Sequence, residues 1–261
     1  MKVWLNGAVL DADAACIAPG DRGFTLGDGL FETMQARDGV VLRLDAHLAR
    51  LARSAAVIDL NLPAVDFPAA LAATLAANGL ASGVLRLTVT RGSGPRGVLP
   101  PAAPVPTVLI TAAPLAAPAP PARLVIAQIT RRNEFSPLSG IKSLNYLDNI
   151  LARQEAAARG ADDAVLLNTQ GRVAETTIAN LFVVCGGEML TPPLGEGSLP
   201  GVMRAEVLRL GAVERALMPE DLVRAEEIFL TSSLGIRSVG EMEGRSLSDF
   251  ATADAMRAKL G

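Results

Sequence analysis

Lysine is scarce in this sequence, and one lysine lies apart from the other two. The chain has 24 lysine and arginine residues, and its only lysines are Lys2, Lys142 and Lys259. Lys142 lies mid-chain in the stretch SGIKSLNY, between a predicted strand and a predicted helix. Arginine can supply positive charge, but it cannot lose its proton or form an imine with an aldehyde. Lys142 is therefore a candidate Schiff-base residue, and the alternative is a surface lysine without a catalytic role.

A lysine that bound pyridoxal phosphate would need two further groups near it. The pyridine nitrogen requires an acid, and the phosphate requires an anion site. Glu175, in RVAETTIANLF, ends a predicted strand and is the candidate acid. Arg50 and the backbone amides of LPGVMRAEVL, where Gly201 opens a predicted helix, are the candidate phosphate ligands. Each of these features alone is also typical of an exposed acid, a solvated arginine or an ordinary helix start.

A glycine pattern in VLRLTVTRGSGPRGVLPP raises a different question, whether the chain binds a dinucleotide. Gly92, Gly94 and Gly97 have the G-x-G-x-x-G spacing. That motif binds pyrophosphate only when a strand precedes it and a helix follows, because the helix N-terminus supplies the amide dipoles. A strand is predicted before the glycines, but the residues after them include prolines that exclude a helix: Pro100, Pro101, Pro104 and Pro106. We therefore do not predict a Rossmann-type site.

Composition excludes several classes of protein. The 261 residues carry a net charge of -3, and 50% of them are apolar, so we expect a buried core and no nucleic-acid-binding surface. The single histidine, His47, excludes a histidine-rich metal site, and its surroundings predict an amphipathic helix. Cys16 and Cys185 have no paired spacing, which favours a cytoplasmic protein without structural zinc. Neither a signal peptide nor a membrane segment is predicted.

The order of predicted elements indicates an α+β protein of two domains. Residues 1–112 form the predicted small N-terminal α/β domain, with a hairpin, helices at about 45–57 and 66–78, and the strands VLRLTVT and TVLITAA. Residues 113–122 are rich in proline and alanine, which is typical of an interdomain linker.

Residues 123–261 form the second predicted domain, the one that would bind the cofactor. We expect a strand at RLVIAQITR, a helix at SLNYLDNILARQEAAARG, and turn-linked strands in AVLLNTQGRVAET and NLFVVCGGEMLTP. A helix, a strand and a helix are expected to end the chain.

Seven stretches, taken in their order along the chain, match the motifs of one known family: DRGFTLGDGLFET, HLARL, TRGSGPRG, GIKSLNYL, ETTIANLF, TPPLGEGSLPGVMR and EIFLTSSLGIRSV. Together they resemble the class IV aminotransferases, pyridoxal-phosphate enzymes of fold type IV. The family comprises branched-chain aminotransferases, D-amino-acid transaminases, (R)-selective amine transaminases and 4-amino-4-deoxychorismate lyases. The resemblance implies a second domain with a mixed, barrel-like sheet and helices, and a homodimer.

The resemblance also implies roles in binding the cofactor. Lys142 would form the Schiff base with pyridoxal phosphate, and Glu175 would pair with the pyridine nitrogen and keep it protonated. The implied phosphate ligands are the Arg50 guanidinium, the amides of Val202 and Met203, and the Ser233 hydroxyl.

For the substrate, the resemblance implies that the glycine stretch is a flexible loop and that Arg96 on this loop is its charged contact with the substrate. The residues that it implies near the substrate are Phe31, Arg96, Val98 and Tyr146. D-amino-acid transaminases bind the substrate carboxylate with Tyr, Arg and His, but the Tyr position is Phe31 here and the His position is Val98. Losing two such ligands argues against ordinary D-amino-acid transamination.

Three local matches favour a lyase, which would eliminate pyruvate from a small amine and carboxylate substrate and release 4-aminobenzoate for folate synthesis. Thr33 follows GDGLFE as in the lyases, RGSGPRG is close to the lyase RGSGGRG, and GVMR is closer to the lyases than to the transaminase GITR. In the lyase pattern a tyrosine follows the glycine loop, and here Val98 stands in its place. The stretch EIFLTSSLGIRSV is also one residue shorter than its relatives.

Two other functions stay open. The chain could be a transaminase that moves an amino group between a D-amino acid, an (R)-amine or a branched-chain amino acid and a 2-keto acid. It could also be a binding or scaffold protein that kept the fold without catalysis.

Overall fold

The computed structural model describes residues 1–261, which divide into two compact units. The first unit comprises Met1–Ala116 and Ile141–Asn145, and the second comprises Ala117–Gly140 and Tyr146–Gly261. The stretch Ile141–Asn145 therefore differs from the prediction, which assigned it to the second domain at 123–261. The reason is a β-bridge between Ser143 and Leu30, which attaches the stretch to a strand of the first unit.

The first unit is built on one six-stranded sheet in which all neighbouring strands are antiparallel. Its strands are β1 (Lys2–Leu5), β2 (Ala8–Asp11), β3 (Gly29–Arg37), β4 (Val40–Val41), β5 (Gly83–Thr90) and β6 (Thr107–Ala113), in the order β2-β1-β6-β5-β3-β4. Its helices are α1 (Arg22–Leu26), α2 (Leu44–Val57) and α3 (Phe67–Ala77). The hairpin, the two longer helices and the two strands predicted for this region are confirmed.

The core of the first unit lies between the sheet and helices α2 and α3. Alternate residues of β3 and β5 face this core, as the period of two in a strand requires. They pack against Leu51 of α2 and against Leu71 and Leu75 of α3, all of which are buried. Asp66 caps α3 by accepting a hydrogen bond from the Ala69 amide at 3.0 Å. The helices therefore cover one face of the sheet and leave residues of the opposite face for other contacts.

The second unit is built on a nine-stranded mixed sheet with helices around it. Its strands are β7 (Ala122–Ile126), β8 (Asp163–Leu167), β9 (Val173–Thr176), β10 (Asn180–Cys185), β11 (Glu188–Thr191), β12 (Val213–Glu214), β13 (Glu227–Ser232), β14 (Gly235–Met242) and β15 (Arg245–Ser246). Its helices are α4 (Leu147–Ala158), α5 (Val202–Arg209), α6 (Pro219–Arg224) and α7 (Ala251–Leu260).

The sheet of the second unit curls on itself. Its main path runs β12-β11-β10-β13-β14-β7-β8-β9, so several strands separate β10 from β9 within the sheet. Only residues 177–179 join β9 to β10 along the chain. A connection this short cannot cross a flat sheet of that width, since each residue spans at most about 3.6 Å. The barrel-like sheet predicted for this part of the chain is therefore present.

Two predictions for the second unit need correction. The predicted strand RLVIAQITR is shorter, because β7 ends at Ile126. The last part of the chain has three strands, β13, β14 and β15, between helices α6 and α7, where a single strand was expected. No helix of the structure is both long enough and apolar enough to cross a membrane.

Candidate active site

Lys142 lies at the edge of the sheet of the first unit. The strand β4 pairs only with the far end of β3, so the near end of β3 has a free edge. The segment around Lys142 pairs with that edge: the Phe31 amide donates to the Lys142 carbonyl at 2.9 Å, and the Leu144 amide donates to the Gly29 carbonyl at 3.0 Å. This register places Phe31 directly opposite Lys142, so their side chains project from the same face.

The side chain of Lys142 lies over an aromatic ring. Its Nζ is 4.3 Å from the centroid of the Phe31 ring, and the Arg86 guanidinium carbon is 3.7 Å from the same centroid. Thr33 projects from this face too, because it is two residues beyond Phe31 on β3 and pairs with Arg86 of β5. The structure thus places three of the predicted residues, Lys142, Phe31 and Thr33, on one face of the sheet. Arg86 is a second cation on the same face.

Arg50 lies with a buried glutamate. Glu32 accepts from Arg50 Nε at 2.8 Å and from Arg50 Nη2 at 2.5 Å, and His47 Nδ1 lies 2.7 Å from Glu32 Oε2. Burial by itself would raise the pKa of Glu32, but the hydrogen bonds from Arg50 and His47 outweigh it and hold that pKa below its ordinary value. Glu32 lies between Phe31 and Thr33 and so points to the opposite face of β3. The prediction of α2 around His47 is confirmed, and its partner Glu32 was not predicted.

Glu175 is the buried carboxylate of the second unit. It lies on β9 and is 6% exposed. Arg132 Nη2 lies 2.9 Å from Glu175 Oε1, while the Leu199 amide and Asn180 Nδ2 donate to Glu175 Oε2 at 3.0 Å and 3.3 Å. Arg132 itself is fixed by the carbonyls of Gly197 and Ser139, at 3.1 Å and 3.0 Å. These donors hold the carboxylate in one orientation.

The first turn of α5 lies close to this carboxylate. Gly201 is its N-cap residue and supplies no capping side chain, so the first amides of α5, those of Val202 and Met203, have no side-chain acceptor from the cap. A Cβ at Gly201 would lie 2.0 Å from Asn180 Oδ1, so only glycine allows this approach. Across the strand pair from Asn180 lies Thr231, whose buried hydroxyl has no hydrogen-bond partner.

The remaining predicted residues lie elsewhere in their units. Ser233 is half-buried in the turn between β13 and β14, and Tyr146 is the N-cap residue of α4. Arg96 and Val98 lie on the exposed loop that follows β5, and Val98 is 84% exposed. That loop does not place either side chain in the core of the first unit.

Sequence reasoning missed four residues of these clusters: Glu32, Arg86, Arg132 and Asn180. Glu32 had a detectable signal, because an acidic residue in the apolar strand GLFETM must find a cation when the strand is buried. The other three had none, since an arginine or an asparagine in these positions is equally typical of an exposed surface.

Comparisons with known proteins identify the family of the chain. The sequence model of the family described as Amino-transferase class IV matches residues 29–242. A Methanocaldococcus jannaschii protein, provisionally assigned as a branched-chain-amino-acid aminotransferase, is 35% identical, with 95% of this chain and 90% of that protein covered. The D-alanine aminotransferase of Bacillus licheniformis is 31% identical, with 96% of this chain and 92% of that protein covered.

A solved structure extends the similarity to the fold. The 4-amino-4-deoxychorismate lyase of Pseudomonas aeruginosa superposes with a TM-score of 0.86 and 32% identity, covering 99% of this chain and 97% of that one. The family match covers most of the chain, and the superposition covers nearly all of it. The chain therefore belongs to the class IV aminotransferase family, the pyridoxal-phosphate-dependent enzymes of fold type IV.

Proposed function

We propose that the protein is a 4-amino-4-deoxychorismate lyase, which converts its substrate to 4-aminobenzoate and pyruvate. The observation that carries this proposal is the position of the Thr33 hydroxyl on the same strand face as Lys142 and Phe31. An amine that can accept a proton and a hydroxyl that can donate one suit an elimination. The superposition on a lyase of this class supports the same conclusion.

The candidate residues supply the kinds of group that pyridoxal phosphate requires. Lys142 supplies the primary amine, and Glu175 supplies an anion for the ring nitrogen. Arg50, the first amides of α5 at Val202 and Met203, and Ser233 supply donors for the phosphate. The unpartnered hydroxyl of Thr231, buried near the start of α5, indicates that a polar group belongs there. When bound, the cofactor supplies an electron sink for the bond that is broken at the substrate.

The residues of the chain then have separate tasks. Lys142 accepts the proton from the amine-bearing ring carbon of the substrate. Thr33 donates a proton to the departing pyruvate unit, and Arg96 binds a substrate carboxylate. Glu175 keeps the ring nitrogen of the cofactor protonated, and the donors around it fix the orientation of its carboxylate. The reaction is driven by formation of an aromatic ring.

A transaminase is the second candidate, and a specific observation favours it. Arg86 places a positive charge on the ring of Phe31, the same ring that Lys142 contacts. A guanidinium in that position suits the carboxylate of an amino acid or a 2-keto acid. The relatives described as branched-chain and D-alanine aminotransferases support this candidate for an amino donor of either kind.

One assay separates the two candidates. The purified protein is given aminodeoxychorismate without any keto acid, and 4-aminobenzoate is measured by its fluorescence. Release of 4-aminobenzoate supports the lyase. Activity that requires both an amine donor and a keto acceptor contradicts it and supports the transaminase.

A second experiment tests the cofactor and the scaffold alternative. We expect the purified protein to be yellow, and we expect borohydride to attach the cofactor to Lys142, which mass spectrometry of the digested protein would detect. Lys142→Ala is the matched variant and should lose this attachment. A colourless protein whose Lys142→Ala variant binds pyridoxal phosphate equally well would contradict both enzyme proposals.

We also propose that the active protein is a homodimer in the cytoplasm. Both cysteines, Cys16 and Cys185, are free thiols, which is compatible with a reducing compartment. Sedimentation velocity of the purified chain measures the oligomeric state, and a monomeric active enzyme would contradict the dimer.

A further inference from the structure

A single buried arginine holds the loop that carries Arg96. The guanidinium of Arg22, the first residue of α1, donates through Nη1 to the carbonyls of Gly97 and Leu99, at 3.0 Å and 3.4 Å. Through Nη2 it donates to the carbonyl of Val98 at 2.8 Å. Three successive carbonyls thus converge on one planar group, a task that suits guanidinium geometry and not a lysine ammonium. The Arg22 side chain is only 4% exposed.

The Arg22 side chain is held in place by Asp28 and Arg91. Its Nε donates to Asp28 Oδ2 at 2.8 Å, and the same oxygen accepts from Arg91 Nε at 2.8 Å. Arg91 also donates to the carbonyls of Ile58 and Asp59, at 2.7 Å and 2.8 Å. Because Asp28 is held by a second arginine that is anchored at the end of α2, Arg22 cannot simply follow the loop when the loop moves. The position of the guanidinium therefore decides the position of the loop.

The other side of Arg96 is anchored as well. The Arg22 amide donates to the Gly92 carbonyl at 2.9 Å, and the Gly94 amide donates to the Gly20 carbonyl at 3.3 Å. Between the anchored residues Gly94 and Gly97 lie only Pro95 and Arg96, and proline fixes its own φ. The flexible loop expected from the sequence is thus attached on both sides of Arg96.

This attachment also decides which side chains the loop presents. The carbonyls of residues 97–99 point at Arg22, and the side chains of Val98 and Leu99 are 84% and 82% exposed. The loop therefore offers one charged and two apolar side chains on its outer side, in a fixed order.

We propose that Arg22 is a positioning residue for the substrate: it fixes the loop 92–99 so that Arg96 is presented to a substrate carboxylate in one place. The inference rests on the proposed function, because it takes Arg96 as the carboxylate ligand. All three guanidinium nitrogens of Arg22 donate to groups of the protein, so Arg22 acts through the loop and not by contact with the substrate.

The test combines kinetics with limited proteolysis on the full-length enzyme loaded with cofactor. Arg22→Lys keeps the charge but has only three donors for the four hydrogen bonds that Arg22 makes, so we expect KM to rise about tenfold, the order of one lost charge-assisted hydrogen bond, with kcat within about twofold. Trypsin should cleave after Arg96 several times faster in this variant. Arg96→Ala sets the maximum rise in KM, and Arg53→Lys, at an exposed position of α2, is the matched control that should change nothing.

A second variant changes a residue of the loop itself and leaves Arg22 in place. Gly97 has a φ of +121°, which an L side chain rarely adopts, so Gly97→Ala should disturb the same carbonyls. We expect it to raise KM and to speed cleavage after Arg96 in the same direction as Arg22→Lys.

Three results would overturn the inference. Faster cleavage with an unchanged KM would mean that the loop is released but does not serve the substrate. Unchanged cleavage in both variants would mean that Arg22 does not fix the loop. A joint loss of kcat, cofactor absorbance and thermal stability would mean that Arg22 supports the whole unit. A wild-type protein with neither lyase nor transaminase activity would refute the proposed function instead, and the cleavage rates would still decide whether Arg22 fixes the loop.

Discussion

Two of the buried glutamates, Glu32 in the first unit and Glu175 in the second, are bound in different ways. Glu32 is 1% exposed, and both of its oxygens contact donors from a single helix, the guanidinium of Arg50 and the imidazole of His47. Glu175 is 6% exposed and has one arginine, Arg132, with neutral donors on its other oxygen.

The two carboxylates therefore have different structural effects. Glu32 joins two elements of the fold, whereas the carboxylate of Glu175 is held in one orientation. Glu32 attaches β3 to α2, because all of its partners lie on that helix. The donors to Glu175 come from three separate segments, at residues 132, 180 and 199, so they fix its orientation without joining any single pair of elements. Removing the charge of Glu32 should therefore cost mainly stability, and removing the charge of Glu175 should cost mainly activity.

The largest expected effect is on the activity of Glu175→Gln. An amide cannot keep the cofactor nitrogen protonated, so we expect kcat to fall about 10²- to 10⁴-fold, the usual range for a lost acid–base group. The midpoint of thermal unfolding should fall less than in Glu32→Gln, because Arg132 keeps the carbonyls of Gly197 and Ser139 as partners. Steady-state kinetics and the absorption spectrum of the bound cofactor measure this. Full activity of Glu175→Gln would remove the distinction between the two glutamates.

Glu32→Gln should have its largest effect on folding. It leaves Arg50 buried without its anion, and breaking a buried ion pair from one side costs about 3–5 kcal/mol. Urea unfolding at neutral pH measures the loss, with Glu175→Gln as the matched control. A loss below about 1 kcal/mol would show that Glu32 does not join β3 to α2 in the way that its hydrogen bonds suggest.

The pH dependence of stability sharpens the same comparison. The pKa of Glu32 is lowered from its ordinary value of 4.5, so the ionised side chain stabilises the fold at neutral pH. This contribution is complete above the unfolded pKa and is lost as the pH falls through the folded pKa. The difference in unfolding free energy between wild type and Glu32→Gln should therefore be constant from pH 7 to about 5.5 and should shrink below pH 4.5. A difference that stays constant down to pH 3 would contradict this sign.

The smallest expected effect is that of Arg132→Lys. Lysine keeps the charge near Glu175 but cannot also bind the carbonyls of Gly197 and Ser139, so we expect a cost of about 1 kcal/mol, or a roughly fivefold fall in kcat. The pH profile of the cofactor absorbance should shift as Glu175 loses its fixed donor. Arg172→Lys, in the half-exposed pair with Glu196, is the control and should leave that profile unchanged.

Much of the architecture could be predicted because it depends on local patterns. The helices at 45–57 and 66–78 and the strand TVLITAA follow from spacing and propensity, and the structure places them within about a residue or two of the predicted limits. Lys142 was identifiable by its rarity among arginines. The strands at the end of the chain were not predicted, since β14 and β15 are short or half-exposed and their pairing is decided by distant partners.

The clusters around the glutamates could not be predicted in the same way. The partners of Glu32 lie 15 and 18 residues away, and those of Glu175 that are not local lie 24 or more residues away. Side chains at such separations meet only when the sheet closes, so no periodicity in the sequence marks them. The hydrogen bonds of Arg22 to the loop were missed for the same reason, because they span 75 to 77 residues.

The sequence by itself determined the family, the rare lysine, and the alternation that turns Phe31 and Thr33 to one face of a strand and Glu32 to the other. The tertiary structure decided which side chains each of them meets. The stretch Ile141–Asn145 joined the first unit because β4 leaves one edge of β3 open, and a free row of backbone donors and acceptors binds whichever segment can reach it. That choice put Lys142 over Phe31, and no local property of SGIKSLNY could have indicated it.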